Sequence, residues 1–222
     1  MKRIPEPELM EGRAQAQAYA EADFSEPNEL FIRCFRELQP AFLGPARVLD
    51  LGCGPADIVL RFARAYPQAE CHALDGSAAM LELARQALAM QPELLARISL
   101  RQAILPSASL ANAGYDVILS NSLLHHLGDP GVLWHTLRQA GRPGTAVLVM
   151  DLRRPASAAQ VEKLVAAYAA DAPQVLRRDF RNSLYAAFTP QEVEAQLAEC
   201  GLEQLRVERV SDRHLTVRGF LR

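Results

Sequence analysis

A loop with two glycines at residues 48–57 is the part of the sequence best suited to bind a ligand. An apolar run leads into Gly52 and Gly54, and a segment with helical periodicity follows. Glycine lets the backbone turn sharply and approach a ligand, and a helix that starts there presents unpaired N–H groups. The loop therefore favours a nucleotide or nucleoside. A dinucleotide fingerprint needs a further glycine where the chain has Ala56 or Asp57, so NAD is disfavoured.

An acidic residue, Asp75, lies at the end of the next predicted strand, 21 residues beyond Gly54. A carboxylate at that position can accept hydrogen bonds from both hydroxyl groups of a ribose that lies across the strand ends. The alternative is that Asp75 caps the following helix, but Ser77 already offers a hydroxyl for that role. We therefore favour ribose binding.

Two adjacent histidines, His125 and His126, follow the predicted strand at residues 115–121. The carboxyl ends of parallel strands are where open α/β sheets bind ligands, and either imidazole can accept a proton near neutral pH. The alternative is that one histidine caps the turn before Asp129 while the other faces solvent. His125 is the first candidate for a catalytic base because it is nearer the end of the strand.

Strand-like and helix-like segments alternate between about residues 46 and 151 and must position these groups. The predicted strands, which are short and apolar, lie at residues 47–51, 70–75, 97–103, 115–121 and 145–151. The predicted helices, with apolar residues three or four apart, lie at residues 58–66, 77–89 and 131–140. This alternation is typical of parallel strands joined by right-handed crossovers.

The flanking segments extend this core. Residues 1–44 are predicted to form an N-terminal helical cover, interrupted near Pro27, and residues 45–222 to form the main domain with a less periodic insert at about residues 153–189. Beyond the fifth strand the predicted elements are helices at residues 156–170 and 190–200 and an antiparallel hairpin at residues 202–210 and 214–220.

Taken together, these motifs are similar to those of class I S-adenosylmethionine-dependent methyltransferases. Asp50-x-Gly52-x-Gly54 resembles the motif of their first strand, Asp75 that of the second, and Tyr115–Asn121 that of the fourth. The similarity covers roughly residues 45–155 and the closing hairpin. It implies an α/β fold with a Rossmann-like, mostly parallel sheet of seven strands, an antiparallel C-terminal strand and helices on both faces, together with S-adenosylmethionine as the cofactor.

The resemblance also implies a set of cofactor-binding positions. They are Asp50, Gly52, Cys53, Gly54, Asp75, Gly76, Gln102, Ala103 and Asn121. The glycine loop would pass close to the methionine part, Asp50 would orient the loop or the amino group, and Asp75 would hold the ribose. Many relatives have an acid after the third strand that binds the adenine amine. Gln102 departs from that pattern, although its amide still offers a carbonyl acceptor.

The acceptor of the methyl group would lie at the same edge of the sheet, with His125 or His126 as the base that removes its proton. Arg153 or Arg181 could fix an acidic acceptor through a bidentate contact, although both could also be ordinary surface arginines. The other expected acceptor contacts are Tyr185 in the insert and Tyr19 in the N-terminal cover, where Tyr19 could instead serve only helix packing.

Composition and charge narrow the classes of function. The formal net charge is −2, and the sequence after strand four lacks the signatures of nucleobase methylation, so nucleic-acid partners are unlikely. The four cysteines are scattered without metal-ligand spacing, and no metal is expected. Neither a signal peptide nor a membrane-spanning apolar run is recognisable, which predicts a cytoplasmic protein without a membrane partner, either monomeric or homodimeric.

Three functions remain open at this point. The first is methyl transfer to a small-molecule acceptor, favoured by the balanced charge and the histidine pair. The second is methylation of RNA or protein, with the arginine-rich part of the insert as the docking surface. The third is a non-catalytic regulatory module that only binds S-adenosylmethionine, which the missing acid at Gln102 makes conceivable.

Overall fold

The computed structural model describes residues 1–7 and 9–222. Within this part of the chain, seven strands form one sheet: β1 (Ala46–Leu51), β2 (Ala69–Asp75), β3 (Ile98–Gln102), β4 (Tyr115–Asn121), β5 (Gly141–Leu152), β6 (Arg206–Arg209) and β7 (His214–Phe220). The helices are α1 (Arg13–Glu21), α2 (Ser25–Leu38), α3 (Asp57–Ala65), α4 (Ala78–Ala89), α5 (Gly131–Ala140), α6 (Ala158–Tyr168), α7 (Gln174–Ala186) and α8 (Pro190–Glu199). None of these helices is long and apolar enough to cross a bilayer.

The strand order is β3-β2-β1-β4-β5-β7-β6. Strands β1 to β5 are parallel, and β7 runs antiparallel to both β5 and β6. This confirms the predicted fold class. Leu51 at the end of β1 pairs with Leu74 of β2 on one side and Ser120 of β4 on the other, so three strands end at the same edge. Successive strands are added on one side of β1 up to β3 and on its other side from β4 onwards. In such folds the ligand crevice lies where this order of strands reverses.

Apolar side chains cover both faces of the sheet, as a central parallel strand requires. On β1, Val48 packs into a cluster with α2, α3 and α4, while Leu49 and Leu51 pack into a second cluster with α5 and α8. Phe31 and Phe35 of α2 are fully buried in the first cluster. Helix α2 is therefore part of the core that holds the sheet, beyond the cover over one edge that the sequence predicted.

Two local predictions were wrong. The interruption expected near Pro27 lies earlier, between α1 and α2, because Pro27 occupies the first turn of α2, where the missing N–H costs no helical hydrogen bond. The second half of the insert, expected to be less periodic, is the helix α7. Its apolar residues Leu176, Phe180 and Leu184 recur every four positions, but arginines on the remaining faces obscure that period in the sequence.

Candidate active site

The loop after β1 is shaped by its two glycines. Gly52 and Gly54 have φ angles of +71° and +52°, values that side-chain-bearing residues rarely adopt. A Cβ on Gly52 would lie 3.0 Å from the side chain of Leu123, so only glycine fits. The N–H groups of Gly52 and Cys53 both donate to the carbonyl of Leu74, at 2.8 and 2.9 Å, which ties the loop to the end of β2.

Asp75 fixes the same loop from the end of β2. Its Oδ2 accepts a hydrogen bond from the Gly54 N–H (2.8 Å), and its Oδ1 accepts one from the Ser77 N–H (2.7 Å). Burial raises the pKa of Asp75, although these two hydrogen bonds act in the opposite direction. Ser77 caps α4 through its hydroxyl, as the sequence indicated, so capping does not need the Asp75 carboxylate. Each Asp75 oxygen retains capacity to accept a ligand hydroxyl.

Two buried acceptor atoms at this edge lack a partner. Within the described residues, Asp50 Oδ2 and Asn121 Oδ1 make no hydrogen bond. Asp50 is 1% exposed, and its burial, with the nearby charge of Asp75, raises its pKa to about 7. Leaving such atoms unpaired is costly, and a cationic or N–H-bearing ligand would relieve that cost. The ammonium and sulfonium groups of S-adenosylmethionine fit this requirement.

His125 lies in a 3-10 turn, Leu124–His126, directly after β4. Its Nδ1 is 2.5 Å from Oδ1 of Asp151 at the end of β5, and its backbone N–H donates to Asp151 Oδ2 at 3.3 Å. Burial alone would lower the pKa of His125, but the carboxylates of Asp151 and Glu6 raise it above its ordinary value. Asp151 therefore fixes the ring so that Nε2 is the nitrogen available to a ligand.

Glu6, from the N-terminal segment, meets both histidines. Its Oε1 is 3.4 Å from His125 Nε2 and 3.3 Å from His126 Nδ1, and it accepts a hydrogen bond from Ser183 Oγ at 2.9 Å. Burial raises the pKa of Glu6. Burial and the charge of His125 lower the pKa of His126 to about 3. Glu6, His125, His126 and Asp151 are called the histidine cluster below.

Arg3 anchors the N-terminal segment that carries Glu6. Its guanidinium donates to the backbone carbonyls of Ala186 (2.5 Å), His125 (2.9 Å) and Leu127 (3.0 Å). The same group lies 4.0 Å above the ring of Phe188. These contacts connect the chain terminus to the turn after β4 and to the end of α7, and they hold Glu6 against the histidines.

A single cavity of ≈ 1120 Å³ joins the glycine loop to the histidine cluster. It is bordered by eleven of the predicted site residues: Asp50, Gly52, Cys53, Gly54, Asp75, Gly76, Ala103, Asn121, Tyr19, His125 and His126. The ring of Tyr19 packs 4.7 Å from that of Phe24, and burial raises the pKa of Tyr19 to about 12, so its hydroxyl stays protonated. Leu152 at the end of β5 and several apolar residues of the insert also border the cavity: Tyr168, Ala169, Ala172, Pro173, Leu176 and Phe180. Four polar residues of α7 line it as well: Arg178, Asp179, Asn182 and Ser183.

The arginines expected to contact the acceptor lie outside the cavity lining. Arg181 forms a bidentate pair with Glu162, at 2.7 and 2.8 Å, on the outer surface between α6 and α7. Arg153 directs its Nε towards the carbonyl of Ser211 at 3.5 Å. Arg181 lies on the outward face of α7, and Arg153 directly follows the last residue of β5. These positions keep both side chains out of the cavity lining.

Gln102 and Tyr185 also lie outside the lining. The Gln102 amide donates to the carbonyl of Gly76 at 3.1 Å on an exposed edge. Tyr185 packs against the small apolar cluster between α6 and α7, and its carbonyl accepts a hydrogen bond from the N–H of Ile4 at 3.0 Å. In this structure neither residue borders the cavity.

Sequence reasoning missed three residues of the site: Glu6, Asp151 and Ser183. Asp151 lies at the end of β5, which pairs with β4 in the sheet, and His125 follows β4. The closeness of Asp151 to His125 could therefore have been inferred from the strand order. Glu6 and Ser183 are 119 and 58 positions away from His125. Only the folded chain brings them there, and no local pattern marks them.

Comparison with known proteins agrees with this geometry. Residues 48–144 match a family described as a methyltransferase domain. The chain is 31% identical over 111 residues to a malonyl-[acyl-carrier protein] O-methyltransferase of Legionella pneumophila, covering 50% of this chain and 38% of that protein. It is 30% identical over 168 residues to the 27-O-demethylrifamycin SV methyltransferase of Amycolatopsis mediterranei, covering 74% and 57%. The chain thus spans less than two thirds of either relative.

Among solved structures, an S-adenosylmethionine-dependent methyltransferase from Aquifex aeolicus superposes with a TM-score of 0.68 at 15% identity, covering 93% of this chain and 97% of that one. This likeness shows a shared fold. The matched methyltransferase domain and the named relatives identify a class I S-adenosylmethionine-dependent methyltransferase domain in this chain, and that family uses S-adenosylmethionine as its cofactor.

Proposed function

We propose that this protein transfers the methyl group of S-adenosylmethionine to a protic atom of a small, largely apolar acceptor. The observation that carries the proposal is the continuous cavity between the glycine loop and the histidine cluster. Its volume of ≈ 1120 Å³ exceeds the usual range for one ligand, about 300–1,000 Å³, and so suits a cofactor together with a second small molecule.

At the cofactor end, backbone and carboxylate groups would hold the nucleoside. The glycine loop leaves room for the methionine part, and Asp75 offers its remaining acceptor capacity to the ribose hydroxyls. Asp50 Oδ2 and Asn121 Oδ1, which have no partner among the described residues, would accept from the ammonium group. Ala103 lines the cavity where the adenine would lie, whereas Gln102 does not.

At the acceptor end, the histidine cluster would orient the acceptor and take its proton. When bound, the cofactor supplies a methyl carbon to which an acceptor lone pair bonds as the carbon–sulfur bond breaks, with that electron pair remaining on sulfur. His125 Nε2 is the group placed to receive the acceptor proton, because Asp151 holds Nδ1 and stabilises the imidazolium that forms. Alignment of the two ligands supplies much of the remaining rate acceleration.

The lining of the acceptor end favours a neutral, apolar molecule. Both arginines that border the cavity are already paired: Arg178 with Asp179 at 3.1 Å, and Arg213 with Glu26 at 2.5 Å. A carboxylate acceptor would compete with these acids for the two guanidinium groups. The apolar insert residues of α6 and α7 instead offer contact area to a hydrocarbon or aromatic body.

The same pairing argues against a polyanionic acceptor. Arg181, in the segment considered as an RNA-docking surface, is bound to Glu162, and Arg178 is bound to Asp179. Phosphate binding depends on unpaired cations that can replace counterions, and these two arginines already face carboxylates.

A module that binds only the cofactor would have no use for the buried His125–Asp151 pair.

Incubation with S-adenosylmethionine labelled in the methyl group, together with a cell extract, tests the proposal. We expect the label in low-mass, solvent-extractable products. Gly54→Val should abolish the transfer because its side chain enters the cavity from a backbone with positive φ. Gly144→Val is the matched control, since Gly144 also has positive φ (+88°) and open space around it but lies away from the cavity. Label in protein or RNA, or equal transfer by both variants, would refute the proposal.

A further inference from the structure

We propose that Glu6, His125 and His126 form a binding site for a divalent transition-metal ion, and that Zn²⁺ is the ion the geometry suits best. One carboxylate oxygen and one nitrogen from each ring lie within 4.8 Å of one another. Two imidazoles and a carboxylate are a ligand set that zinc uses in catalytic sites, where a fourth position stays open.

Two of the three ligand-atom separations, those from Glu6 to each histidine, match a tetrahedral site. Zinc lies about 2.0–2.1 Å from its nitrogen and oxygen ligands, which places neighbouring ligands about 3.3–3.4 Å apart in a tetrahedron. Glu6 Oε1 is 3.4 Å from His125 Nε2 and 3.3 Å from His126 Nδ1. The Glu6 side chain would therefore have to move little to bind an ion together with either histidine.

The surroundings of His125 are those of a metal-bound histidine. Its other nitrogen, Nδ1, is 2.5 Å from the Asp151 carboxylate, which is 1% exposed. A carboxylate behind a ligating histidine fixes the tautomer and directs the free lone pair of Nε2 towards the ion. Ser183 also holds Glu6 in place, since its hydroxyl donates to Glu6 Oε1, the proposed ligand atom, at 2.9 Å.

The charges of the cluster also favour a cation. Glu6 and Asp151 place two carboxylates, whose side chains are 11% and 1% exposed, around rings whose centroids are 4.2 Å apart. Two positively charged imidazolium rings at this distance repel each other. Protonation of both histidines is therefore a costly way to balance the negative charge of the two carboxylates. A single divalent ion balances both carboxylates and leaves each ring neutral.

All three ligand residues border the cavity, so the open position of the ion would face the acceptor. The existence of the site is independent of the proposed function, and only the placing of the acceptor there rests on it. In the metal-loaded protein His125 Nε2 would be a ligand and not the base that receives the acceptor proton, and the ion would lower the pKa of a bound acceptor hydroxyl. The sequence predicted no metal because its scattered cysteines lack metal-ligand spacing, and the site proposed here departs from that expectation.

Zinc binding to the full chain without an affinity tag tests the proposal. After treatment with a chelator, the protein is titrated with Zn²⁺ in competition with a chromophoric chelator, and Co²⁺ absorption reports the coordination geometry. We expect one ion per chain and a tetrahedral Co²⁺ spectrum without sulfur charge-transfer bands. Glu6→Gln and His126→Ala should each weaken Zn²⁺ binding by at least about tenfold.

His135→Ala is the matched control, because His135 is exposed on α5 and lies outside the cavity. It should bind Zn²⁺ like the unchanged protein. Thermal unfolding confirms that each variant is folded, and calorimetry with S-adenosylmethionine confirms that the cofactor end is intact without metal. Absence of stoichiometric Zn²⁺ binding, or equal affinity in Glu6→Gln, His126→Ala and His135→Ala, would overturn the site and leave a hydrogen-bonded cluster. Neither result would affect the test of methyl transfer.

Discussion

The two ends of the cavity are built in different ways. At the proposed cofactor end, most groups come from a short stretch, residues 50–77, with Ala103 after β3 and Asn121 from β4. At the acceptor end, Glu6, His125, Asp151 and Ser183 come from four separate segments and meet only in the folded chain. The cofactor end depends mainly on the shape of the backbone. The acceptor end depends on buried charged groups that are distant in the sequence and come together only on folding.

This difference has an energetic consequence. The glycine loop is stabilised by backbone hydrogen bonds to Leu74 and Asp75, so single side-chain changes elsewhere should leave it intact. The histidine cluster contains carboxylates that would be costly to bury without partners. Changes at the acceptor end should therefore alter catalysis while cofactor binding persists, and changes at the cofactor end should alter affinity first.

The largest effect is expected for His125→Asn. Asparagine can still donate to Asp151 but cannot take a proton or present an imidazole to the cavity. Loss of a positioned acid or base typically costs about 10²–10⁴-fold in rate. We expect a loss of that size in labelled product, measured as initial rate in the extract assay, with unchanged calorimetric affinity for S-adenosylmethionine. His72→Ala, a histidine on β2 outside the cavity, is the control. Full activity of His125→Asn would remove this residue from the mechanism.

The next effect concerns Asp75→Ala at the opposite end. Loss of hydrogen bonds to the ribose hydroxyls should weaken cofactor binding by about 1 to 3 kcal/mol, roughly 5- to 150-fold in Kd. The control is Asp116→Ala, which removes a carboxylate that accepts from the backbone N–H of Arg47 and pairs with Arg142, outside the cavity lining. Calorimetry should show a weaker Kd for Asp75→Ala alone. Equal affinities in the two variants would exclude the ribose contact.

A smaller effect should follow from pH. The pKa of Asp50 is raised to about 7 by burial and by Asp75, so this carboxyl is mostly neutral below that pH. A cationic ligand prefers the ionised form, and the ionised fraction rises from about one tenth at pH 6 to about nine tenths at pH 8. The affinity for S-adenosylmethionine should therefore increase about tenfold over this range, with release of a proton at the lower pH.

Titration calorimetry in buffers of different ionisation enthalpy measures that proton release. Asp50→Asn should remove both the release and the pH dependence, since asparagine does not ionise. An affinity of the unchanged protein that stays constant from pH 6 to pH 8 would contradict the role given to Asp50.

The smallest effect is expected for Arg181→Ala. Arg181 pairs with Glu162 on an exposed surface away from the cavity, and such pairs contribute little to stability. Cofactor affinity and the rate of methyl transfer should remain within about twofold of the unchanged protein. A selective loss of transfer to an acidic acceptor would instead place Arg181 at the acceptor end, as the sequence alone had suggested.

The sequence predicted the fold and the cofactor loop better than the acceptor end. Strand β4 and helix α5 have the bounds expected from their apolar periodicity, because buried elements leave a local pattern. Gly52, Gly54 and Asp75 were recognisable because their roles depend on backbone shape and strand order. Glu6 was not, since its meeting with the histidines depends on how the N-terminal segment docks. Arg181, expected from the sequence to contact the acceptor, lies outside the cavity lining, because the sequence does not show which face of α7 turns outward.

The most direct test of the account is a calorimetric titration, in which S-adenosylmethionine is added to the unchanged chain and to Gly54→Val and the heat of binding is measured. The account predicts one binding site per chain in the unchanged protein and no measurable binding in the variant, whose side chain occupies the cavity at the glycine loop. An unchanged protein that does not bind S-adenosylmethionine, or a variant that binds it equally well, would contradict the central claim.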